Sequence, residues 1–338
     1  MRGMLLLSRQ HPQGVNDINR RLFAFIILLI TLLGTAGILY YSATNMADNK
    51  DPKPAPKSNA PTFASTIEGK NEGQLRSPLN LAYSDNLLYI ADTENHRLAV
   101  YSQTGSFKRT IDLQAENIAI KPLGIAIDEK RRLYVSVSQD SDNTILVFDS
   151  GGRFLYRFPE DAGNSGSYIA PGKAMALFAG GDKIYVTDII DHDIKVYSLE
   201  GDLLTRFGRP GSAKGEFLYP NGIATDKSGK IFVSDSNNAR VQVFAASGEF
   251  LYLFAQPEND PLALPRGIAF DEKGRLHVVD TLKHKIFVFT KEGRFLHSYA
   301  KFGTGKGGLS YPNGIAIDAT SGMIYVADKT NNRISVWE

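Results

Sequence analysis

Short apolar runs separated by Gly, Asn, Asp and Ser recur from residue 62 to the end of the chain. In one unit the runs are Gly222–Thr225, Ile231–Ser234, Val241–Phe244 and Phe250–Phe254, and Lys-Ser-Gly, Asp-Ser-Asn-Asn and Ser-Gly lie between them. Apolar runs of this length bounded by turn residues predict β-strands joined by tight turns. We therefore expect each unit to be a four-stranded antiparallel sheet, with strands named a to d in chain order.

This unit recurs six times. Its clearest copies share Pro-Asn-Gly-Ile-Ala at residues 220–224 and 312–316, an Asp that ends strand b, and Asn-x-Arg before strand c. A period of this size indicates a β-propeller. The fold class is therefore predicted to be all-β, a six-bladed propeller over residues 62–338. The second unit departs most, with Ser136 expected at the Asp position. The opening prolines are 44 to 49 residues apart, at Pro78, Pro122, Pro171, Pro220, Pro265 and Pro312.

The two ends of the repeat region complement each other. The sixth unit stops at Glu338, directly after strand c, so its strand d is missing. A spare strand, Thr62–Ile67, precedes the first unit. Pairing this strand with the last unit would close the ring and remove an exposed sheet edge. We expect the N-terminal strand to complete the last blade.

The chain before the repeats has a different character. Leu22–Tyr41 holds 20 residues without a charge, which as a helix would span roughly 30 Å, the thickness of the hydrocarbon core. We predict a transmembrane helix here, followed by a Pro- and charge-rich linker over residues 42–61. Because Arg20 and Arg21 adjoin the apolar run, the positive-inside rule places residues 1–21 in the cytoplasm and the propeller outside. A cleaved signal peptide, with Ser42–Ala47 as the cleavage region, is the alternative.

Composition narrows the possible functions. The chain has no cysteine, which excludes disulfides, thiolate metal sites and cysteine nucleophiles. Residues 60–338 contain 31 Lys and Arg against 33 Asp and Glu. This balance lacks the excess of positive charge that is typical of nucleic-acid binding, so no nucleic-acid partner is expected.

The repeated residues resemble the NHL repeat. The resemblance rests on Pro-Asn-Gly-Ile-Ala at 220–224 and 312–316, Tyr-Val-Ala-Asp at 325–328, and Asn-x-Arg at 95–97, 238–240 and 331–333. It covers residues 62–338 and implies a six-bladed propeller. Members of this family include extracellular sensor domains, RNA-binding regulators and the peptide α-amidating lyase, so the resemblance leaves the function open.

Two sets of repeated residues suggest metal sites. His96, His192 and His284 follow the strand-b Asp in alternate units. On strand spacing these turn positions would lie about 25 Å apart, whereas zinc–nitrogen bonds are about 2.0–2.1 Å, so we interpret the histidines as turn residues. The strand-b aspartates could form a calcium ring, but we favour a structural role as acceptors in their own turns. These aspartates are Asp92, Asp188, Asp235, Asp280 and Asp328.

The positions directly after the opening prolines are expected near the propeller axis. The resemblance to amidating lyases implies zinc-binding histidines there, but this chain has none at these positions, so we expect neither this zinc site nor another cofactor. Three of the units instead place polar residues there. Together with Lys173 of the irregular third unit, they form our candidate ligand-binding site at the mouth of the central funnel: Lys173, Asn221, Arg266 and Asn313.

The sequence therefore favours a membrane-anchored binding or scaffold propeller. Its face of loops would be displayed outside the cell membrane to a protein, peptide or glycan. The alternative is a six-bladed propeller enzyme of the lyase or lactonase type. Such enzymes generally need metal-binding side chains that converge on the axis.

Overall fold

In a computed structural model, the described residues are 60–113, 120–139, 142–159, 171–255 and 257–338. They form six antiparallel four-stranded sheets, so the predicted six-bladed, all-β propeller is confirmed. The first strand is β1 (Phe63–Ile67). Blade one follows with β2 (Pro78–Ser84), β3 (Leu87–Asp92), β4 (Arg97–Ser102) and β5 (Phe107–Asp112). Blade two has β6 (Lys121–Ile127), β7 (Leu133–Gln139), β8 (Asp142–Phe148) and β9 (Phe154–Phe158).

The remaining blades repeat this order. Blade three has β10 (Ala174–Gly180), β11 (Lys183–Asp188), β12 (Asp193–Ser198) and β13 (Leu203–Phe207). Blade four has β14 (Pro220–Thr225), β15 (Ile231–Asp235), β16 (Arg240–Phe244) and β17 (Phe250–Phe254). Blade five has β18 (Pro265–Phe270), β19 (Leu276–Asp280), β20 (Lys285–Phe289) and β21 (Phe295–Tyr299). A short parallel pair, β22 (Lys301–Phe302) and β23 (Gly308–Leu309), precedes blade six.

Blade six combines strands from both ends of the repeat region. It contains β24 (Ile315–Ile317), β25 (Ile324–Asp328) and β26 (Arg333–Trp337), and β1 pairs antiparallel with β26 as its outermost strand. Beyond the strand ends, Thr62 and Glu338 exchange two backbone hydrogen bonds of 2.7 and 2.9 Å. The Phe63 ring packs edge-on against Trp337, with 5.7 Å between ring centroids.

The core consists of one apolar cluster between each pair of neighbouring blades. Blades six and one, for example, share a cluster that includes Ile90, Tyr101, Tyr325 and Val336. Five further clusters fill the other interfaces around the ring. Burial of apolar area between every blade and both of its neighbours stabilises the closed ring without disulfides.

In blades four and five the inner strand approaches its neighbour so closely that a Cβ atom would clash. A Cβ atom on Gly222 would lie 2.0 Å from the Arg266 carbonyl oxygen of the next blade, and one on Gly267 would lie 2.5 Å from that of Asn313. Gly267 donates its N–H to the same Asn313 oxygen at 3.0 Å. The glycine of the Pro-x-Gly motif therefore allows neighbouring backbones to touch near the axis.

Helical structure in the described ranges is limited to four single-turn 3-10 helices, Asn71–Gly73, Thr93–Asn95, Ser236–Asn238 and Lys329–Asn331. None of the helices found there is long and apolar enough to cross a membrane. The predicted segment Leu22–Tyr41, the cytoplasmic segment 1–21 and most of the linker lie outside the described residues, so the membrane anchor stays a prediction.

Candidate functional site

The turns between strands b and c and the loops that enter strand a lie on one face of the propeller, which we call the b–c face. In blade four, Asp235 accepts hydrogen bonds from Leu218 N at 2.8 Å and from Arg240 Nε at 2.7 Å. The other strand-b aspartates accept equivalent backbone hydrogen bonds, and all five are fully buried. Each carboxylate is thus satisfied within its own blade. The structural interpretation of these aspartates accounts for their contacts, and the calcium ring does not.

Two of the three turn histidines connect neighbouring blades. His192 Nδ1 accepts a hydrogen bond from Tyr219 N at 2.9 Å, and His284 Nδ1 accepts one from Tyr311 N at 3.0 Å. In blade six, Asn332 Oδ1 makes the same contact with Ser77 N at 2.8 Å. Because an amide can replace the imidazole at this position, His192 and His284 serve as acceptors between blades, whereas the buried Nδ1 of His96 has no hydrogen-bond partner among the described residues.

Blade three replaces the usual Asp–Arg pair with a buried network that the sequence analysis missed. Asp193 pairs with Asp188 in the register that Arg97 shares with Asp92. The fully buried Lys195 ammonium contacts Asp188, Asp191 and Asp193, each at 2.8 Å. Burial alone would lower the pKa of Lys195, but these three carboxylates outweigh it and raise the pKa. The three carboxylates are close enough to hold a metal ion, but the lysine nitrogen already lies among them. Asp193 stands where Arg97 stands in blade one, and this substitution was the feature of the sequence that could have revealed the network.

Strand register corrects two assignments made from the sequence. Ala174, rather than Pro171, pairs with the strand-b Asp188, so Ala174 takes the place of the opening proline in blade three. Met175 is therefore the residue that follows the opening position of blade three. The Met175 carbonyl oxygen would lie 2.8 Å from a Cβ on Gly124, just as the Arg266 carbonyl oxygen lies close to Gly222. Lys173 lies two positions before Met175, and its backbone N–H donates to Asp188 at 3.0 Å. Assigning Lys173 to the funnel position was wrong.

The second correction concerns blade two. There Pro122 pairs with Val137, so Val137 and not Ser136 occupies the Asp position. Ser136 Oγ instead accepts a hydrogen bond from Gly124 N at 2.8 Å.

Inner strands of all six blades enclose a central cavity of about 370 Å³. Of the four predicted site residues, Asn221 and Asn313 line it, whereas Arg266 and Lys173 do not. Asn80 also lines the cavity; it occupies the glycine position of blade one, next to Leu79, and was not predicted. All of the lining residues lie in the described ranges, and they include neither a carboxylate nor an imidazole.

Arg266 has an unusual environment for a charged side chain. It is half-buried, its Nε is shielded from solvent, and that nitrogen has no hydrogen-bond partner. Across the described ranges, no carboxylate forms an ion pair with it. Burial without a compensating charge lowers the pKa of Arg266. Arg266 was expected at the mouth of the central funnel, but it does not line the central cavity and its Nε is shielded from solvent.

Exposed apolar side chains collect on the b–c face of blades three to six. We call Ile190, Tyr219, Leu282, Phe302 and Tyr311 the apolar arc; each side chain is 45–68% exposed. His192 packs against Tyr219, and His284 packs against both Phe302 and Tyr311, with ring centroids 4.6–4.8 Å apart. The histidine turns thus hold aromatic rings of this arc in place.

Comparisons with known proteins agree with this architecture. A family model described as a 6-bladed beta-propeller matches residues 265–338, and the NHL repeat model matches residues 75–101 and 217–244. The chain therefore contains NHL repeats within a six-bladed β-propeller.

Curated relatives share only part of this chain. "Protein brain tumor" of Drosophila melanogaster is 27% identical over 40% of this chain and 12% of its own length. "Tripartite motif-containing protein 2" of Homo sapiens is 46% identical over 15% of this chain and 7% of its own length. The similarity thus spans a small part of each relative.

Solved structures resemble the fold. A streptogramin B lyase superposes with a TM-score of 0.58 at 14% identity, covering 84% of this chain and 99% of that one. A virginiamycin B lyase from Staphylococcus aureus, with quinupristin, gives a TM-score of 0.56 at 17% identity over 80% and 84% of the two chains. At these identities the likeness concerns the fold alone.

Proposed function

We propose that this propeller is a binding module that docks a protein or peptide on its b–c face. The observation that carries the proposal is the apolar arc. Exposed apolar side chains gathered on one face of a domain are typical of interaction sites, and aromatic residues are enriched at such interfaces. A glycan, the other ligand class suggested by the sequence, would also find aromatic rings here.

The exposed tyrosines of the arc have a backbone conformation that recurs in the ring. Tyr219 and Tyr311 have φ values of +54° and +48°, and Ser77, before the opening proline of blade one, has +52°. The N–H groups of these three residues donate to His192, His284 and Asn332 in the neighbouring blades. At this shared position blades four and six present large exposed aromatic rings where blade one has a serine, which supports a binding role for the arc.

The enzyme alternative has less support. The central cavity, where the chemistry of a lyase or lactonase would be expected, offers no carboxylate or imidazole among its lining residues. General acid–base or metal-assisted catalysis would need such groups. We therefore base the proposal on the b–c face rather than on the cavity.

The site can be tested by photo-cross-linking in cells. A benzoylphenylalanine placed at Phe302 or Tyr311 should form discrete adducts with a partner, which mass spectrometry would identify. The matched control is Phe154, which is 51% exposed on the outer strand of blade two. The proposal fails if Phe154 gives the same adducts as the arc positions, or if the arc positions give none.

We further propose that the N-terminal segment anchors the propeller to the cell membrane, with the propeller outside. The uncharged run Leu22–Tyr41 and the flanking Arg20 and Arg21 support this arrangement. Protease added to intact cells, or to spheroplasts where an outer barrier exists, should digest or release the propeller. Full protection, with a linker that is cleaved only after lysis, would place the propeller in the cytoplasm instead.

A further inference from the structure

Arg266 stands apart from the other arginines near the b–c face. Arg97, Arg240 and Arg333 each donate Nε to the buried aspartate of their own blade at 2.7–2.8 Å. The remaining nitrogens of Arg240 donate to the carbonyl oxygens of Ser212, Ala213 and Glu216. Arg266 has none of these contacts in the part of the chain that the structure describes.

The unpaired guanidinium is partly accessible. Its Nε is shielded from solvent without a partner, whereas its terminal nitrogens are not among the buried unpartnered atoms. A charged group that is partly desolvated and unpaired lowers the stability of the fold. A ligand that supplied an anion to these nitrogens would recover that free energy on binding, since a guanidinium can hold a carboxylate with two parallel hydrogen bonds.

The location of Arg266 connects it with the apolar arc. It follows Pro265 in blade five, at the position that Asn221 and Asn313 hold in the flanking blades. The residues that precede the equivalent prolines in those blades are Tyr219 and Tyr311, both members of the arc. A ligand on the arc of blades four to six would therefore cover the entrance to strand a of blade five.

The charge of the repeat region favours one carboxylate over a polyanion. Residues 60–338 contain 31 Lys and Arg against 33 Asp and Glu, whereas a nucleic acid needs an excess of cations along its backbone. Some lysines of this half of the ring are already paired, since Lys283 and Lys285 both contact Asp260 at 2.8 Å. An arginine without a carboxylate partner beside exposed apolar side chains matches a peptide that carries one acidic group beside apolar residues.

We propose that Arg266 binds a carboxylate of a peptide segment in the protein partner that docks on the apolar arc. This inference rests on the proposed function, because it specifies the chemistry of the partner at that face. The carboxylate is either an Asp or Glu side chain or a chain terminus. Arg266 supplies the charged contact, and the arc supplies apolar contact area.

Nuclear magnetic resonance of the arginine Nε–H groups tests the inference in the full-length protein. At constant ionic strength, sodium acetate should shift the Arg266 resonance saturably, and sodium chloride should not. Capped peptides then separate the sources: Ac-Phe-Glu-Phe-NH₂ offers a side-chain carboxylate, Ac-Phe-Gln-Phe-OH a terminal one, and Ac-Phe-Gln-Phe-NH₂ neither. At least one carboxylate peptide should bind about tenfold or more tightly than the neutral peptide, as expected for a charged hydrogen bond.

Two variants provide the controls. Arg266→Gln should remove the difference between the peptides, whereas Arg209→Gln should keep it, because Arg209 is 77% exposed and already pairs with Glu216 at 2.8 Å. Equal binding of all three peptides, a resonance that ignores acetate, or a larger response to inorganic phosphate than to acetate would overturn the carboxylate inference. In each of these cases, cross-links from Phe302 and Tyr311 would still support docking on the arc, and their absence would reject the proposed function separately.

Discussion

Replacement of Arg266 by methionine should stabilise the protein, although the change removes the residue that we assign to ligand binding. Methionine keeps an unbranched apolar stem and removes a guanidinium whose Nε is shielded from solvent and unpartnered. An unsatisfied buried donor costs about 1–3 kcal/mol. Because the terminal nitrogens of Arg266 are not shielded in this way, we expect a gain near the lower limit, about 1 kcal/mol. For a domain of this size that gain corresponds to about 2 °C in Tm.

The matched control is Arg240→Met. Arg240 is 11% exposed and neutralises the fully buried Asp235. Its loss leaves that carboxylate without its guanidinium, for which about 3–5 kcal/mol of destabilisation is expected. Equilibrium unfolding in urea measures both variants, with unchanged slopes showing that only stability differs. If Arg266→Met lowered the free energy of unfolding, the guanidinium would have a stabilising partner, and the argument for an unoccupied anion site would fail.

Three further predictions concern the fold. Deletion of residues 60–68 removes the β1 strand from blade six and should lower Tm sharply. A chain that starts at residue 59 keeps β1 and should match the parent. Equal melting temperatures for the two chains would contradict a role for β1 in closing the ring. Lys195→Met should cost about 3–5 kcal/mol by leaving buried carboxylates unpaired. Lys183 is only half-buried, and its pair with Asp182 spans 4.0 Å, so Lys183→Met should change stability by less than about 0.5 kcal/mol in urea unfolding. Burial lowers the pKa of His277 below its unfolded value, so its contribution is complete above about pH 6.5 and is lost as the pH falls through the folded pKa. His277→Phe should therefore flatten the decline in stability between pH 7.5 and 5, and an unchanged decline would show that other groups, such as the half-buried His284 and His297, dominate it.

Local patterns predicted the sheets, because alternating apolar residues and turn residues specify strands without reference to the rest of the chain. The strand-b Asp and the Asn-x-Arg turn were predicted equally well, since their partners lie within one blade. Register in blade three was not: Pro171 resembles the opening proline, but the strand begins at Ala174. Ala174 pairs with Asp188 as Pro78 and Pro220 pair with their aspartates, and the register shift that follows Ala174 also follows these prolines. Which residue lies opposite Asp188 depends on pairing with β11, which the local pattern does not specify.

The environment of Arg266 also could not be predicted from its position in the repeat. The sequence indicated that the residue after Pro265 approaches the axis, and a polar side chain near the axis suggested exposure to solvent. Its burial depends on the neighbouring blades, since Gly222 brings β14 against the Arg266 backbone, and Asn313 bonds to Gly267 on the other side. Contacts between blades join residues that are far apart in sequence, so the repeat pattern does not predict which positions are buried against a neighbouring blade.

Some residues of this chain differ from the residue that the repeat places at the same position, and these differences help to distinguish structural from candidate functional residues. Some departures are compensated locally: blade three exchanges an arginine for Asp193, and Lys195 restores the charge balance. The Arg266 guanidinium has no such compensation, because no carboxylate among the described residues pairs with it. A compensated change preserves folding and needs no ligand to explain it. An uncompensated charge costs stability, and marginal stability makes such costs significant. Arg266 lies in blade five, between the two blades whose entry loops carry the exposed Tyr219 and Tyr311, which is the physical reason for assigning the ligand-binding face to that half of the ring.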